Sequence, residues 1–413
     1  MSAESPRSDE AVSAELPRSR DTPAPAAAPR GPNPASSKSP ATTQPTAPCT
    51  AAPLFRAELL RVTFPGRTGP LPAVAGASLE VRSGEVLGLV GESGSGKSLT
   101  CRSTIALMPP RARMTATELS FEGVDLFALR PRALRKHRAH HVGMIVQDPF
   151  SCLDPTMRVG EQIAETLRAN VGLGRTAARA RAIELLGTVD IADPERRFFA
   201  YPHEFSGGMR QRIAIAIAVS CQPKLLVADE PTTALDVTTQ AQILTLLRRL
   251  KDETGMAILI VSHDFGVIAQ ICDRVAVMYG GFVVETGTLA DVYTSPMHPY
   301  TEALLAAIPS IESAGKRTRR TGIPGQPPGL GDILSGCPFV PRCSMAEPSC
   351  SSIDMVLEPV APDHVTACPV VVRSVLGDSA RAMTTSPLPH NSPAGPAAPR
   401  AGVTNSSRSL AEP

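Results

Sequence analysis

The sequence predicts an α/β protein with a parallel sheet at its centre, and two observations carry this prediction. Short aliphatic runs end abruptly at polar or glycine residues, at Val86–Val90, Val142–Val146, Leu225–Ala228 and Ala257–Val261. Continuous apolar runs of this length are typical of strands covered on both faces by helices. Between the last two runs, Thr238–Thr254 places leucines at helical spacing and stops at Gly255, which suits a C-terminal cap.

Composition divides the 413 residues into an ordered body and two tails. Residues 1–53 hold 11 of the 41 prolines and no aromatic residue, so they bury too little apolar surface to offset the entropy of ordering. We expect 1–53 and the similarly Pro/Ser/Ala-rich 371–413 to be disordered. The body falls into a large domain, 54–295, and a smaller extension, 296–370. A β-hairpin is expected around Gly280–Gly281 at the end of the large domain.

Charge and hydropathy restrict the class of protein. The chain has 41 basic and 39 acidic residues, a balance that gives no reason to expect nucleic acid as a partner. The start of the chain lacks the apolar core of a secretory signal, which favours a cytoplasmic protein. Ile213–Cys221 is one of the longer uncharged apolar runs, and at nine residues it is far below the ~20 that a membrane-spanning helix needs. If this protein acts at a membrane, we expect other chains to cross it.

A phosphate-binding loop follows the first predicted strand. The residues GESGSGKS match the pattern G-x-x-x-x-G-K-[ST] and precede an apolar segment, 99–108, that is expected to begin as a helix. Glycines let backbone N–H groups wrap phosphates, while the lysine reaches the terminal phosphates and the serine hydroxyl reaches Mg²⁺. The candidate ATP-binding residues of this loop are Gly91, Glu92, Ser93, Gly94, Ser95, Gly96, Lys97, Ser98 and Leu99.

Polar residues end three of the other predicted strands, at the sheet edge where α/β proteins bind ligands. Asp229 and Glu230 follow one strand, and we expect Asp229 to bind Mg²⁺ and Glu230 to act as general base on water. Gln147 and His263 follow two further strands. Taken singly, each of these residues could be structural, for example an acidic pair that caps the next helix. Their convergence with a phosphate loop favours a catalytic role.

A second stretch, FSGGMRQR, looks like half of a phosphate site. Ser206, Gly207 and Gly208 precede a predicted helix, whose N-terminus presents free N–H groups and a positive dipole end. Without a lysine this stretch cannot form an anion site alone. It could equally be a glycine-started helix packed through its isoleucines, and the two interpretations are compatible.

Six motifs in this order resemble the nucleotide-binding subunits of ABC transporters over residues 55–295: GESGSGKS, VQDPF, FSGGMRQR, LLVADEP, TTALD and Ser262-His263. The resemblance implies a P-loop NTPase fold with a RecA-like core, a helical signature subdomain and a β-rich N-terminal part.

The same resemblance assigns roles to individual residues. It implies that Ser206, Gly207 and Gly208 bind the γ-phosphate of ATP held by another subunit. It also implies that Gln147 senses the γ-phosphate and touches the membrane subunits, and that His263 contacts the γ-phosphate. Asp236 is expected in a loop that crosses the dimer, and Ser98, Gln147 and Asp229 are the expected Mg²⁺ ligands. Phe64 is the candidate for stacking on adenine.

The extension resembles the C-terminal region of ABC importers for oligopeptides, dipeptides and nickel. Its cysteines are Cys337, Cys343, Cys350 and Cys368, in a segment that is stiffened by prolines. Four thiolates suit a tetrahedral site for Zn²⁺ or an iron–sulfur cluster. The resemblance favours a [4Fe–4S] cluster, while buried thiols without metal remain an alternative.

These inferences predict the ATP-hydrolysing subunit of a peptide importer at the cytoplasmic face of the cell membrane. Its expected partners are a second ATPase subunit, identical or related, two membrane permeases and an extracytoplasmic solute-binding protein. A transporter ATPase for nickel or another small solute is an alternative. A soluble ABC ATPase acting on DNA or ribosomes is another, but such proteins usually carry a long coiled-coil insertion or two ATPase domains, and this sequence shows neither.

Overall fold

The protein is described by a computed structural model over residues 52–67, 69–148, 152–233, 235–308, 322–330, 332 and 335–377. The tails predicted at 1–53 and 371–413 lie outside these residues except at their inner ends. Within the described residues, no helix is both long and apolar enough to cross a membrane.

The described strands form two sheets. In chain order they are β1 (Phe55–Pro65), β2 (Pro70–Val81), β3 (Val86–Val90), β4 (Arg113–Thr115), β5 (Glu118–Phe121), β6 (Val124–Asp125), β7 (Val142–Ile145), β8 (Leu225–Asp229), β9 (Ala257–Ser262), β10 (Arg274–Tyr279), β11 (Phe282–Thr288), β12 (Glu358–Ala361) and β13 (His364–Thr366). The smaller sheet is antiparallel, with the order β2–β1–β5–β6 and with β4 paired to β1.

The larger sheet has the order β12–β13–β11–β10–β3–β9–β8–β7. Its part from β10 to β7 is parallel, as the uninterrupted apolar runs predict. The predicted strand bounds hold to within one residue. The predicted hairpin is formed by β10 and β11, which pair on either side of Gly280 and Gly281, both with positive φ.

Helices connect and cover these strands. In chain order they are α1 (Lys97–Ser103), α2 (Pro131–His141), α3 (Val159–Val171), α4 (Arg175–Thr188), α5 (Pro194–Arg197), α6 (Gly207–Val219), α7 (Val237–Thr254), α8 (Phe265–Ile271), α9 (Leu289–Thr294), α10 (Pro299–Ala306) and α11 (Pro369–Leu376). Gly255 ends α7 with φ 70°, as predicted for a glycine cap. The helix expected to run on from Leu99 stops at Ser103, because the chain turns back there and Leu107 N–H donates to the Arg102 carbonyl.

The core lies on both faces of the larger sheet. Along β3, Leu87 and Leu89 pack against the smaller, N-terminal sheet formed by β1, β2 and β4–β6. Val86 and Val90 instead belong to the apolar cluster formed with the helices. This division follows from the two-residue period of a strand, which points neighbouring side chains to opposite faces. The sheet is therefore buried on both sides, and its carboxyl edge is the place where polar side chains emerge.

The extension is built into the same sheet. Its strands β12 and β13 continue the sheet beyond β11, and the fully buried carboxylate of Glu285 on β11 accepts hydrogen bonds from the backbone N–H groups of Met297 (2.7 Å) and His298 (2.8 Å). It also lies 2.8 Å from Nε2 of His364. Helix α11 crosses the boundary that was expected at residue 370, because an apolar segment continues through the valines after Pro369.

Candidate functional site

The phosphate loop connects β3 to α1 and needs glycine at its two ends. Gly91 has φ 155°, and a Cβ atom there would lie 2.0 Å from the carbonyl oxygen of Met278. Gly96 has φ 100°, and its Cβ would lie 2.7 Å from the carbonyl oxygen of Ala73. These contacts are with backbone, which cannot move aside, so only glycine fits. The loop is thereby held against both the hairpin and the N-terminal sheet.

Lys97 is folded back onto this loop. Its side-chain amine donates to the carbonyls of Gly91 (2.8 Å) and Glu92 (2.9 Å), and the residue is only 5% exposed. Burial lowers the pKa of Lys97, while the carboxylates of Glu230, Asp229 and Glu92 act in the opposite direction. A cation that is stripped of water and held by carbonyls is prepared to bind the more negative oxygens of a phosphate.

Ser98 and Asp229 form the second part of the site. The Ser98 hydroxyl donates to Oδ1 of Asp229 at 2.8 Å, and Asp229 is fully buried at the end of β8. Its other oxygen, Oδ2, is buried and has no hydrogen-bond partner. Burial raises the pKa of Asp229, and the hydrogen bond from Ser98 opposes this rise. A hydroxyl and a carboxylate with a free oxygen are suitable ligands for Mg²⁺.

Among the described residues, no group of three or more His, Cys, Asp or Glu side chains is arranged to hold a metal ion. This finding is compatible with Mg²⁺ beside Asp229. Magnesium commonly takes only one or two protein ligands and completes its octahedron with water and substrate phosphates.

The three predicted catalytic residues meet at Glu230. Its Oε2 accepts hydrogen bonds from Nε2 of Gln147 (2.9 Å) and from the hydroxyl of Thr233 (2.9 Å), and its Oε1 lies 3.5 Å from Nδ1 of His263. Glu230 has φ 49°, a left-handed conformation that is strained for a residue with a side chain. Thr233 lies in the motif TTALD, but the sequence analysis assigned it no role of its own. The Glu230 carboxylate thus lies beside three polar side chains that can orient it.

The predicted signature stretch begins α6. Ser206 is its N-cap and accepts a hydrogen bond from Met209 N–H at 3.4 Å. A Cβ on Gly208 would lie 2.5 Å from the Thr239 methyl group, so Gly208 is required by packing within the chain. A Cβ on Gly207 would meet nothing closer than a methyl carbon of Leu235 at 3.8 Å. Among the described residues, the space beside Gly207 is therefore open.

Asp236 lies at the start of α7 and belongs to the same surface as the signature. Its carboxylate accepts hydrogen bonds from the N–H (2.9 Å) and hydroxyl (2.7 Å) of Thr239, the residue that packs on Gly208. These hydrogen bonds lower the pKa of Asp236. The predicted signature and the predicted cross-dimer residue are thus neighbours.

Phe64 lies near the end of β1, where it lines a surface cavity with Gly66, Gly69, Pro70 and Arg111. No described contact places it against the phosphate loop, so its role in adenine stacking stays a prediction.

The four cysteines of the extension lie close to one another. Burial, together with smaller contributions from the neighbouring thiols of Cys368, Cys343 and Cys350, raises the pKa of Cys337 to about 11. The backbone N–H of Cys337 donates to the carbonyl of Cys350 at 2.8 Å. His298, which the sequence analysis did not single out, has Nε2 4.0 Å from the Cys337 sulfur. Within the described residues, however, these thiols do not form a three-ligand arrangement that would hold a metal ion.

Comparisons with known proteins agree with this geometry. Residues 74–233 match the family model described as "ABC transporter", and residues 284–350 match "Oligopeptide/dipeptide transporter, C-terminal region". A dimeric ATP-binding cassette, MJ0796, solved bound to ADP and Pi, is similar in structure with a TM-score of 0.51 and 27% identity, and the match covers 57% of this chain and 98% of that one. The chain is therefore an ABC-type ATPase.

Relatives that match over most of their length indicate the branch of ABC-type ATPases to which the chain belongs. The oligopeptide transport ATP-binding protein OppD of Salmonella typhimurium is 45% identical over 322 residues, which cover 78% of this chain and 95% of the relative. OppD of Bacillus subtilis is 46% identical over 307 residues, which cover 74% of this chain and 84% of the relative. The chain belongs to the family of ABC transporter ATP-binding proteins, in its oligopeptide/dipeptide branch.

Proposed function

We propose that this chain is the ATP-hydrolysing subunit of an importer that moves peptides across the cytoplasmic membrane. The observation that carries the proposal is one chain with a complete ATP-binding loop, an incomplete second anion site and the oligopeptide-type extension. The relatives named for oligopeptide transport support the choice of solute.

ATP binding depends on the residues of the phosphate loop. Backbone N–H groups from Gly91 to Ser98 would surround the β- and γ-phosphates, and Lys97 would leave its two carbonyl partners to bind them. The Ser98 hydroxyl and the free Oδ2 of Asp229 would hold Mg²⁺, with Gln147 close by on Glu230. When bound, Mg²⁺ neutralises charge on the phosphates and polarises them for attack. The low exposure of Lys97 and Asp229 strengthens these contacts because water does not screen them.

Glu230 is the proposed general base. Its carboxylate would take a proton from the attacking water, while the hydrogen bonds from Gln147 and Thr233 fix its orientation. His263 would contact the γ-phosphate, and its Nδ1 lies 3.5 Å from the other carboxylate oxygen of Glu230. The strained backbone at Glu230 supports this assignment, because strain of this kind is commonly found at functional sites.

The signature of a second ATPase domain is proposed to complete each ATP site. Ser206, Gly207 and Gly208 present the N-terminal N–H groups of α6, which attract anions but lack a lysine. The open space beside Gly207 supports an approach by the phosphate of a partner's ATP. Asp236, on the same surface, would line the dimer contact. The partner ATPase is an identical or a related chain.

Closure of the two ATPase domains on ATP, and their release after hydrolysis, would drive two permease subunits between inward- and outward-facing states. In this arrangement the chain is peripheral, at the cytoplasmic face of the membrane, and an extracytoplasmic solute-binding protein delivers the peptide. Nickel or another small solute is the second candidate cargo. A role on DNA or ribosomes has no support in the observed fold or relatives.

The cysteine segment is proposed as a site for a metal cluster, with [4Fe–4S] as the candidate. Four mutually close thiols and their burial support it, and the described side-chain arrangement does not yet match a metal site. Protein purified without oxygen is expected to contain about four iron and four sulfide per chain, and Cys337→Ser to lose them. Zinc in place of iron, or neither, would contradict the cluster.

Transport is tested by isolating the protein from native membranes in mild detergent and identifying the chains that co-purify by mass spectrometry. We expect two permeases, an ATPase partner and a solute-binding protein, with bound peptide in the last. Recovery from the soluble fraction with ribosomal or DNA-repair proteins would contradict transport but not ATP hydrolysis. A co-purifying solute-binding protein that holds nickel would show that the solute is nickel and not a peptide.

Replacing the proposed base tests the hydrolytic mechanism. Glu230→Gln keeps the size and hydrogen bonding of the side chain but cannot accept a proton, so turnover should fall at least about 100-fold. ATP binding should persist, because the phosphate loop is unchanged. Phosphate release and binding of a fluorescent ATP analogue give the two readouts. Hydrolysis at the wild-type rate would show that Glu230 is not the base.

A substitution at Gly207 tests the shared site. Gly207→Asp has room within the chain and suits the first turn of a helix, so stability should not fall. Its carboxylate would repel the partner's γ-phosphate, and we expect hydrolysis to drop at least about tenfold, or 1.4 kcal/mol, while ATP still binds. Gly207→Ala, uncharged, is the matched control and should lose far less. Equal activity of Gly207→Asp and wild type would remove the shared-site account.

A further inference from the structure

One arginine of the cysteine segment reaches the phosphate loop. Arg342 lies between Cys337 and Cys343, in the short 3-10 turn Val340–Arg342. Its Nη1 donates to Oε2 of Glu92 at 2.7 Å and its Nη2 to Oε1 at 3.1 Å. This two-pronged pairing of a guanidinium with a carboxylate is strong and strictly oriented. The extension therefore holds the side chain of the second residue in GESGSGKS.

The guanidinium of Arg342 is buried, and each of its N–H groups donates a hydrogen bond. Besides the two bonds to Glu92, Nη1 donates to the Tyr279 hydroxyl (3.1 Å), Nε to the Pro324 carbonyl (2.8 Å) and Nη2 to the Ile323 carbonyl (3.2 Å). All five N–H donors of the side chain thus have acceptors. The side chain is 4% exposed, whereas that of Glu92 is 24% exposed. An arginine bound on all sides in this way cannot move independently of the loop it holds.

The backbone of the phosphate loop is held from the same side. Glu92 N–H donates to the hydroxyl of Tyr300, at 2.9 Å, and Tyr300 is a fully buried residue of α10. Its ring packs against those of Tyr279 and Phe339, with centroids 4.5 Å and 5.4 Å away. Phe339 also belongs to the cysteine segment. Side chain and backbone of Glu92 are thus both anchored in the extension.

A third contact acts at the middle of the loop through the β10–β11 hairpin. Gly281 N–H donates to the carbonyl of Ser95 at 3.1 Å. At the adjacent Gly280, a Cβ would lie 2.7 Å from Pro338, which shows how closely the cysteine segment covers this turn. The extension therefore contacts the loop directly at Glu92 and covers the hairpin turn that contacts it at Ser95.

The pairing has an electrostatic consequence for ATP. Glu92 lies within the loop that is proposed to bind phosphates, and its carboxylate acts on Lys97. Left unpaired, this negative charge would repel the nucleotide and compete for the lysine. Arg342 neutralises this charge with a cation whose N–H groups are all held by acceptors of the chain.

We infer that Arg342 is a positioning residue for the phosphate loop, through which the cysteine segment sets the affinity of the subunit for ATP. The inference rests on the proposed ATP binding at Gly91–Ser98. It makes the C-terminal extension a part of the nucleotide site and not only an appended module. It also provides a physical route by which a change at Cys337 or Cys343 reaches that site.

Nucleotide affinity and steady-state hydrolysis of Arg342 variants test this inference. Arg342→Met should weaken binding of a fluorescent ATP analogue at least about tenfold and raise KM for ATP to match, with kcat changed less than about twofold. Arg342→Lys, which keeps the charge but loses the two-pronged geometry, should fall between Arg342→Met and wild type. Arg373→Met is the matched control, since Arg373 is an exposed arginine of α11 that pairs with Glu347.

The double variant separates charge from packing. Glu92→Gln in the Arg342→Met background removes the unpaired carboxylate and should restore ATP affinity to within about threefold of wild type. The inference would be overturned if Arg342→Met bound ATP within twofold of the wild-type affinity. It would also be overturned if the double variant bound ATP no better than Arg342→Met. If Arg342→Met does not fold, a wild-type ATP affinity of Arg342→Lys would decide against the inference. Failure of the wild-type protein itself to bind nucleotide would instead refute the proposed function.

Discussion

Two buried charges at the carboxyl edge of the parallel sheet define this molecule. Lys97 and Asp229 are almost completely removed from water. Burial lowers the pKa of Lys97 and raises that of Asp229, which favours the neutral form of each side chain. Holding both groups there costs free energy that the chain offsets only in part, with two carbonyls for Lys97 and one hydroxyl for Asp229. The proposed magnesium nucleotide would provide the missing partners for both. The fold around this pair, from the glycines of the loop to the strained Glu230, is best understood as its support.

The same constraint explains why the site extends beyond the ATPase core. A phosphate loop must be rigid enough to present its N–H groups together, yet its glycines leave it with little structure of its own. Rigidity is supplied by contacts from distant parts of the chain: the Met278 and Ala73 carbonyls pack against the glycines, and Tyr300 and Arg342 hold Glu92. Strands β12 and β13 fix the extension to the central sheet, so these contacts arise from one continuous structure.

Much of this could be predicted because the signals are local. The apolar runs, Gly255 and the phosphate loop carry their meaning in a few consecutive residues, and the polar residues at strand ends converge because parallel strands share an edge. Arg342 and Tyr300 could not be predicted in the same way. An arginine or tyrosine outside the motifs has no local pattern, and its importance depends on a contact such as that between Arg342 and Glu92, 250 residues apart. Strands β12 and β13 are also short, and the pairing of β13 with β11 joins distant parts of the chain.

The central claim is that the phosphate loop of this chain and the signature of another ATPase domain share one ATP. The most direct measurement is a cryo-electron microscopy structure of the complex from native membranes, carrying Glu230→Gln and saturated with ATP and Mg²⁺. The account predicts ATP between two ATPase domains, with Lys97 moved from the Gly91 and Glu92 carbonyls to phosphate and the γ-phosphate in contact with the partner's signature. ATP held by the phosphate loop alone, with the signature of each domain facing solvent in the closed complex, would contradict it.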